Sequence, residues 1–357
     1  MIRLNLLTEP PRNQNTAAFL GPIIWNQKIL RDRGIVVRTF YGSDPALGDC
    51  DVFAVNSKFW GGDWQANREP ALALLKSMYA NRRVLYFDRS STPGSVNRDV
   101  LPHVHRYLKN AVYRERGNYT REVYNGRLFA DYYHRAADVT DYAPLASPAL
   151  SEAEAARIEV SWNTGLANYS LTGPRRWSWY RFLPFRALMA PPRQFIPPSG
   201  QRTVAVSCRM GSSYRHATVA HQRLRMAELL ARYRTTRRVS KMAYVRELCA
   251  SKIVASPFGY SEINYKDFEA FLCGAVLFKP DMSHLDTWPD YFRPDATYVA
   301  HRWDLSDVAA KIEEVLGNYD HYLEIARAGQ SMYRWHTAER AGQEAFADRF
   351  ATLVGPP

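Results

Sequence analysis

The sequence predicts an α/β protein with two parallel-sheet domains facing one another across a cleft. Three observations carry that expectation. Short β-branched or aromatic runs alternate with stretches of helical apolar spacing, the pattern of right-handed βαβ units. The alternation breaks once, in a stretch rich in Pro, Arg and aromatics at 174–198, and then restarts. The chain has 357 residues, 46% of them hydrophobic, enough for two buried cores and too apolar for a disordered chain.

In the first half, Ile2–Leu7 is an apolar run fit for a buried strand, and Thr8-Glu9-Pro10-Pro11 closes it as a loop. Apolar residues at helical spacing over 19–33 stop at Gly34. Strands are expected at 35–41, 51–56 and 83–87, with a helix at 70–80. The stretch 101–114 reads as helical, and Ser151-Glu152-Ala153-Glu154 is a capping box that opens a helix. In the second half, strands are expected at 202–207, 252–255, 275–279 and 297–300. Helices are expected at 221–233, 244–250, 265–273, 305–316, 319–328 and 337–353. The domains are then 1–185, a linker at 186–200, and 201–357, with the last helix free to pack back on the first domain.

A net charge of +12 asks for an anionic partner: phosphorylated small molecules, nucleic acid or an anionic membrane surface. Of 47 basic residues only nine are lysine, and the arginines are spread along the chain. No RNP, zinc-finger or helix-turn-helix signature supports nucleic acid. No run of about 18 apolar residues is present, and MIRLNLLTEPPRNQ lacks the basic and long apolar regions of a secretory signal. Cys50, Cys208, Cys249 and Cys273 are scattered, so reduced thiols in a cytoplasmic protein are expected, with neither a metal site nor a disulfide framework.

The chemistry concentrates in ASPFGYSEINYKDFEAFLCGAVLFKPDMSH, residues 255–284. A strand ends in a Pro/Gly loop, and a polar turn opens a helix whose free N–H groups suit an anionic or polyhydroxyl ligand. Glu262, Lys266 and Glu269 stand at i, i+4 and i+7, which would place them on one helical face, with a solvated salt-bridge row as the plain alternative. Upstream, Ser207 to Arg215 (SCRMGSSYR) follows a strand. Its Arg209, Tyr214 and Arg215 stand among small residues that could cradle a diphosphate.

Gly259, Glu262, Glu269-Ala270 and Gly274-Ala275-Val276, continued by Lys-Pro-Asp-Met-Ser-His at 279–284, resemble the donor segment of GT-B glycosyltransferases, the bacterial family-one and CgeB-like members above all. That resemblance covers about the last 160 residues. It implies two Rossmann-like domains and transfer of a sugar from a nucleotide-sugar to a glycan or lipid-linked acceptor, in envelope polysaccharide or glycoconjugate synthesis. It further implies that Glu269 takes the ribose hydroxyls, that Glu262 lies by the donor sugar, and that Arg209, Arg215 and Lys266 face the phosphates. His284 would be a donor contact. Six residues separate the two glutamates, one fewer than in retaining members, so retention or inversion stays open.

The acceptor side would come from the first half: Glu9, Arg12, Asn13 and Asn15 after the first strand, Asp88 and Arg89 after the fourth. An inverting transferase needs a general base there, Asp88 first and Glu9 next. No cofactor and no metal are expected. The Asp49-Cys50-Asp51 triplet precedes a strand and so lies at the opposite sheet edge. The Arg- and Trp-rich stretch 175–186 suits either peripheral contact with an anionic membrane or packing between domains. Two other readings stay open: a fucosyltransferase-like inverting enzyme, whose donor helix also carries a close Lys and Glu, and a non-catalytic nucleotide- or sugar-binding protein of the same fold.

Overall fold

The structure, a computed structural model, describes residues 1–61, 64–169, 189–233 and 239–355. The basic-aromatic stretch 175–186 lies outside the described residues.

The first sheet is six-stranded and wholly parallel. Its strands are β1 (Ile2–Leu7), β2 (Ile35–Phe40), β3 (Val52–Asn56), β4 (Arg83–Asp88), β5 (Arg106–Lys109) and β7 (Ile158–Val160), in the order β2-β1-β3-β4-β5-β7. Strand order reverses at β1, which has β2 on one side and β3 on the other, so the loops leaving β1 and β3 diverge and open a crevice. The expected helix over 19–33 is two: α1 (Gln14–Trp25) and α2 (Gln27–Asp32) meet at Asn26, whose amide donates to the Pro22 carbonyl at 2.8 Å. Helix α3 (Trp64–Tyr79) begins ahead of Pro70.

The helix expected over 101–114 is absent. The stretch holds β5 and β6 (Ala111–Tyr113) instead. The misreading has a physical source: both charged residues of β5 are buried, Arg106 on Glu159 at 2.6 Å and Lys109 on Asp88 at 2.5 Å. Charges inside a strand imitate the polar face of a helix. Beyond them come α4 (Leu128–Ala137) and α5 (Glu152–Ala156), the latter opened by the Ser151–Glu154 capping box.

The second sheet is parallel in the order β12-β10-β9-β8, from β8 (Val204–Ser207), β9 (Ser251–Ala255), β10 (Val276–Pro280) and β12 (Val299–His301). Its helices are α6 (Ala217–Leu229), α7 (Lys241–Ala250), α8 (Tyr265–Cys273) and α9 (Val308–Gly317). Gly274 ends α8 at φ +62, and a Cβ there would stand 2.3 Å from the Ile196 carbonyl, so this turn admits only glycine.

A shared strand pair and a returning helix are among the features that bind the halves. Strand β11 (Leu285–Thr287) pairs antiparallel with β6, so each half lends a strand to a small shared sheet. After α10 (Tyr319–Ala338), helix α11 (Arg340–Val354) returns to the first half. There Phe346, Phe350, Leu353 and Val354 join the core of Leu4, Leu6, Phe19 and Leu85. No described helix is long and apolar enough to cross a membrane.

Candidate active site

A cleft of about 600 Å³ lies where the carboxyl ends of the two sheets face each other, a volume typical of small-molecule sites. Glu9 and Asn13 reach it from the loop after β1, Asn15 from the first turn of α1, Lys58 from the loop after β3, and Asp88 and Arg89 from the end of β4. Tyr214 and the segment from Gly259 to Tyr265 line it from the second half.

On the first-half wall, Glu9 is held by one oxygen only. Its Oε1 accepts from Arg89 Nη1 at 3.0 Å and from Thr16 Oγ1 at 2.5 Å. Its Oε2 has no hydrogen-bond partner among the described residues. The Arg89 side chain is only 9% exposed, with its guanidinium 5.2 Å from the Phe19 ring centre. Asn13 caps α1, accepting from Thr16 N at 3.0 Å. Across the cleft, the Tyr265 hydroxyl donates to Asn15 Oδ1. Arg12 is exposed and does not line the cleft.

Asp88 reaches the cleft edge but is taken up by its own half. It accepts from Lys109 Nζ at 2.5 Å, Tyr107 Oη at 2.9 Å and Ser90 N at 2.8 Å. Burial alone would push its carboxyl up, yet Lys109 and these donors hold it below the usual carboxylate range. The chemistry available to such a group is that of an anchor: it fixes Lys109, which also donates to the Ser95 carbonyl at 2.7 Å and pins the loop bordering the cleft.

The second-half wall is a built loop. Asn264 and Asp267 form a capping box at the start of α8. Asp267 also meets Lys279 Nζ at 3.1 Å and Ser256 Oγ at 2.5 Å, all of it buried. Arg223 joins the two loops of this wall, donating to the Phe258 carbonyl at 2.7 Å and the Gly211 carbonyl at 3.1 Å, with the Tyr214 ring 4.6 Å away. From the first half, Arg127 Nε donates to the Tyr260 carbonyl at 2.8 Å. Arg127, Arg223 and Asp267, with Lys58 on the opposite wall, are among the residues the sequence does not single out, and Lys279 enters there only as part of the 279–284 continuation. Buried charges in pairs or on carbonyls carry no motif, although a Lys in an apolar strand such as Val-Leu-Phe-Lys is itself a signal of a buried partner.

The expected Glu262–Lys266–Glu269 face does not form. Helix α8 starts at Tyr265, so Glu262 precedes it and turns into the interface between the halves, 1% exposed, with Oε1 unpartnered among the described residues. Burial pushes its carboxyl up to about 7, against the pull of Arg127, Lys279 and Lys109. Lys266 donates to the Arg209 and Ala255 carbonyls, and burial beside Arg223 lowers it to about 8. Glu269 pairs with Lys241 and accepts from Tyr244 Oη at 2.8 Å, both on α7. Arg209 meets Glu247 at 2.6 Å. Lys241, Glu269, Lys266, Arg209 and Glu247 thus form one charged strip beside the cleft, outside its lining. Arg215 is exposed and does not line the cleft. His284 sits against Phe258 and Trp303, its ring nitrogens buried and unpartnered among the described residues. Burial pushes its pKa down to about 4, so it is a neutral ring near pH 7, away from the lining. Asp49 and Asp51 bind Arg3 at the opposite edge of the sheet.

Residues 195–346 match the family model described as "Glycosyl transferase-like". That segment holds the whole second-half wall and the charged strip. No curated protein matches the chain. Among solved structures, an alpha-glucosyltransferase in complex with UDP and a 13-mer DNA containing a central A:G mismatch is similar at 9% identity and a TM-score of 0.49, covering 99% of this chain and 100% of that one. A glycosyltransferase from Rickettsia africae ESF-5 is similar at 9% identity and 0.43, covering 100% and 99%. Sucrose-phosphate synthase from Thermosynechococcus elongatus follows at 11% and 0.39, covering 99% and 98%. Two parallel sheets opposed across a cleft are the GT-B arrangement that the sequence resemblance implied.

Proposed function

We propose that the chain is a glycosyltransferase that moves a sugar from a nucleotide-sugar to a glycan or lipid-linked acceptor held against the first half of the cleft. The observation that carries this reading is the junction itself. The glycosyl transferase-like segment forms one wall, and the opposite wall offers Glu9, a carboxylate with one oxygen held and the other unpartnered among the described residues.

The nucleotide lies along the charged strip, with its phosphates near Lys266, Arg209 and the start of α8, and Glu269 exchanges Lys241 for ribose hydroxyls. Cations and free helix N–H groups favour the charge that grows on the leaving diphosphate. Glu9 takes the acceptor proton while Arg89 and Thr16 keep its carboxylate aimed. A base on the acceptor side makes the reaction a single displacement with inversion. Envelope polysaccharide or glycoconjugate synthesis is the setting in which such an acceptor occurs.

A thermal-shift series with UDP, GDP, TDP, CDP and CMP, followed by turnover with the matching sugar nucleotides, tests the reading. One nucleotide should stabilise by about 2.7 kcal/mol at a hundredfold excess over Kd. Its sugar derivative should be turned over with an inverted anomeric product by NMR. Failure of every nucleotide to shift the transition would end the reading. Binding without transfer or hydrolysis would leave a nucleotide-binding protein, and a retained anomer would remove Glu9 from its role.

A further inference from the structure

Cys249 and Cys273 end the neighbouring helices α7 and α8, and their sulfur atoms stand 3.1 Å apart as free thiols. Nothing in the proposed transfer uses them. Their backbones are held by one buried side chain: Arg202 donates from Nη1 to the Cys249 carbonyl at 2.7 Å and from Nη2 to the Cys273 carbonyl at 2.6 Å. The thiols therefore face each other because a guanidinium clamps both helix ends, not by chance proximity of two mobile loops. Cys249 is partly exposed and Cys273 buried, so a small reagent reaches one sulfur first and the other waits behind it. Cys273 stands four residues after Glu269, on the same face of α8, and Glu269 is bound to Lys241 and Tyr244 of α7. The dithiol and the carboxylate lie along one helix seam.

We propose that Cys249 and Cys273 are a redox modification site, a dithiol that closes reversibly to a disulfide with a small-molecule disulfide such as oxidised glutathione and fastens α7 to α8 behind Glu269. The Cys249 thiolate attacks one sulfur of the oxidant and expels one glutathione thiolate, which leaves a mixed disulfide. The Cys273 thiol then loses its proton and attacks the Cys249 sulfur, expelling the second glutathione. In sum two protein thiols give up two electrons and two protons, and one small disulfide becomes two thiols. The hydrogen bond between the two sulfurs and the nearby Arg202 guanidinium lower the Cys249 thiol, which, with its partial exposure, suits it to the first attack. The sulfurs must close by about 1 Å to reach bonding distance, a shift within side-chain reach.

The whole chain incubated with oxidised glutathione, denatured in acid and analysed by thiol titration and intact mass decides the matter. Two of the four thiols should disappear, the mass should fall by two hydrogens, and digestion should yield a peptide pair joined at 249 and 273. Melting temperature should rise by roughly 5–10 °C and return with dithiothreitol. Cys273→Ser should instead trap a glutathione adduct on Cys249. Four remaining thiols, a persistent adduct in the wild type, or a bond to Cys50 or Cys208 would each overturn the proposal. The thiol count does not depend on the reading of the cleft. A change of nucleotide affinity on oxidation does, so failure of that effect alone would count against the donor role of Glu269 and leave the disulfide standing.

Discussion

Glu9, Glu262 and Glu269 are three carboxylates in three surroundings, and each surrounding predicts a different result. Glu9→Gln keeps the shape held by Arg89 and Thr16 but removes the proton acceptor. Turnover should fall by about 10²–10⁴ while donor KM stays within about twofold, measured by steady-state kinetics. Glu269→Gln should weaken nucleotide binding roughly 10- to 100-fold, about 1.4–2.8 kcal/mol, by calorimetry. Lys241→Gln is the control: it breaks the same ion pair but leaves the carboxylate for the ribose, so a matching loss there would mean that Glu269 acts through α7. Glu262 carries a pH signature. Its pKa rises from 4.5 unfolded to about 7 folded, so the folded state binds the proton more tightly. The associated stability is full below about pH 4.5 and is lost as pH rises towards 7. Against Glu262→Gln, the wild type should therefore lose about 3 kcal/mol between pH 4.5 and 8 in denaturant unfolding. A pH-independent difference would show that the carboxyl is not confined as described.

At the scale of elements, the sequence was legible wherever burial followed one period. Ile2–Leu7 and Tyr265–Cys273 form with the bounds their apolar spacing predicts, because each faces a sheet or core directly. It was illegible where a charge is satisfied by a distant partner, as in β5, or where one half completes the other. Helix α6 shows the second case. Its N-cap, His216, makes no side-chain cap bond, and the free N–H of Thr218 goes instead to Asp141 Oδ1 at 2.9 Å, from the first half of the chain. Asp141 is buried and also accepts from Asn125 Nδ2 at 2.6 Å. Local pattern cannot show a cap supplied from 77 residues away. Asp141→Ala removes the cap, its charge at the helix N-terminus and the partner of Asn125 together. It should cost about 2–4 kcal/mol in denaturant unfolding, against about 1 kcal/mol for an ordinary cap. A loss under about 1 kcal/mol would mean that water replaces Asp141 and that the halves part easily there.

Across the whole molecule, the sequence places the cleft and the order of the halves, but the joints between them come from pairings of high sequence separation. Strands β6 and β11 pair across the interface, with Arg114 Nε on Asp286 Oδ1 at 2.9 Å beside them. On the far side, α11 belongs to the second half by sequence and to the first half by packing. Trp162 gathers Phe19, Phe346 and Phe350 around it at ring distances of 5.1, 5.5 and 5.9 Å. Phe350 is 1% exposed, and replacing it by Ala removes a side chain whose loss from a core costs about 3–5 kcal/mol. Because the ring packs on the first sheet, the damage should be read there. In hydrogen exchange, amides of β1, β3 and β4 should lose protection in Phe350→Ala, while those of β9 and β10 change less in sub-global opening. The opposite pattern, with the second sheet loosening first, would mean that α11 stabilises the half from which it is spelled and that the two halves are not laced together at this end.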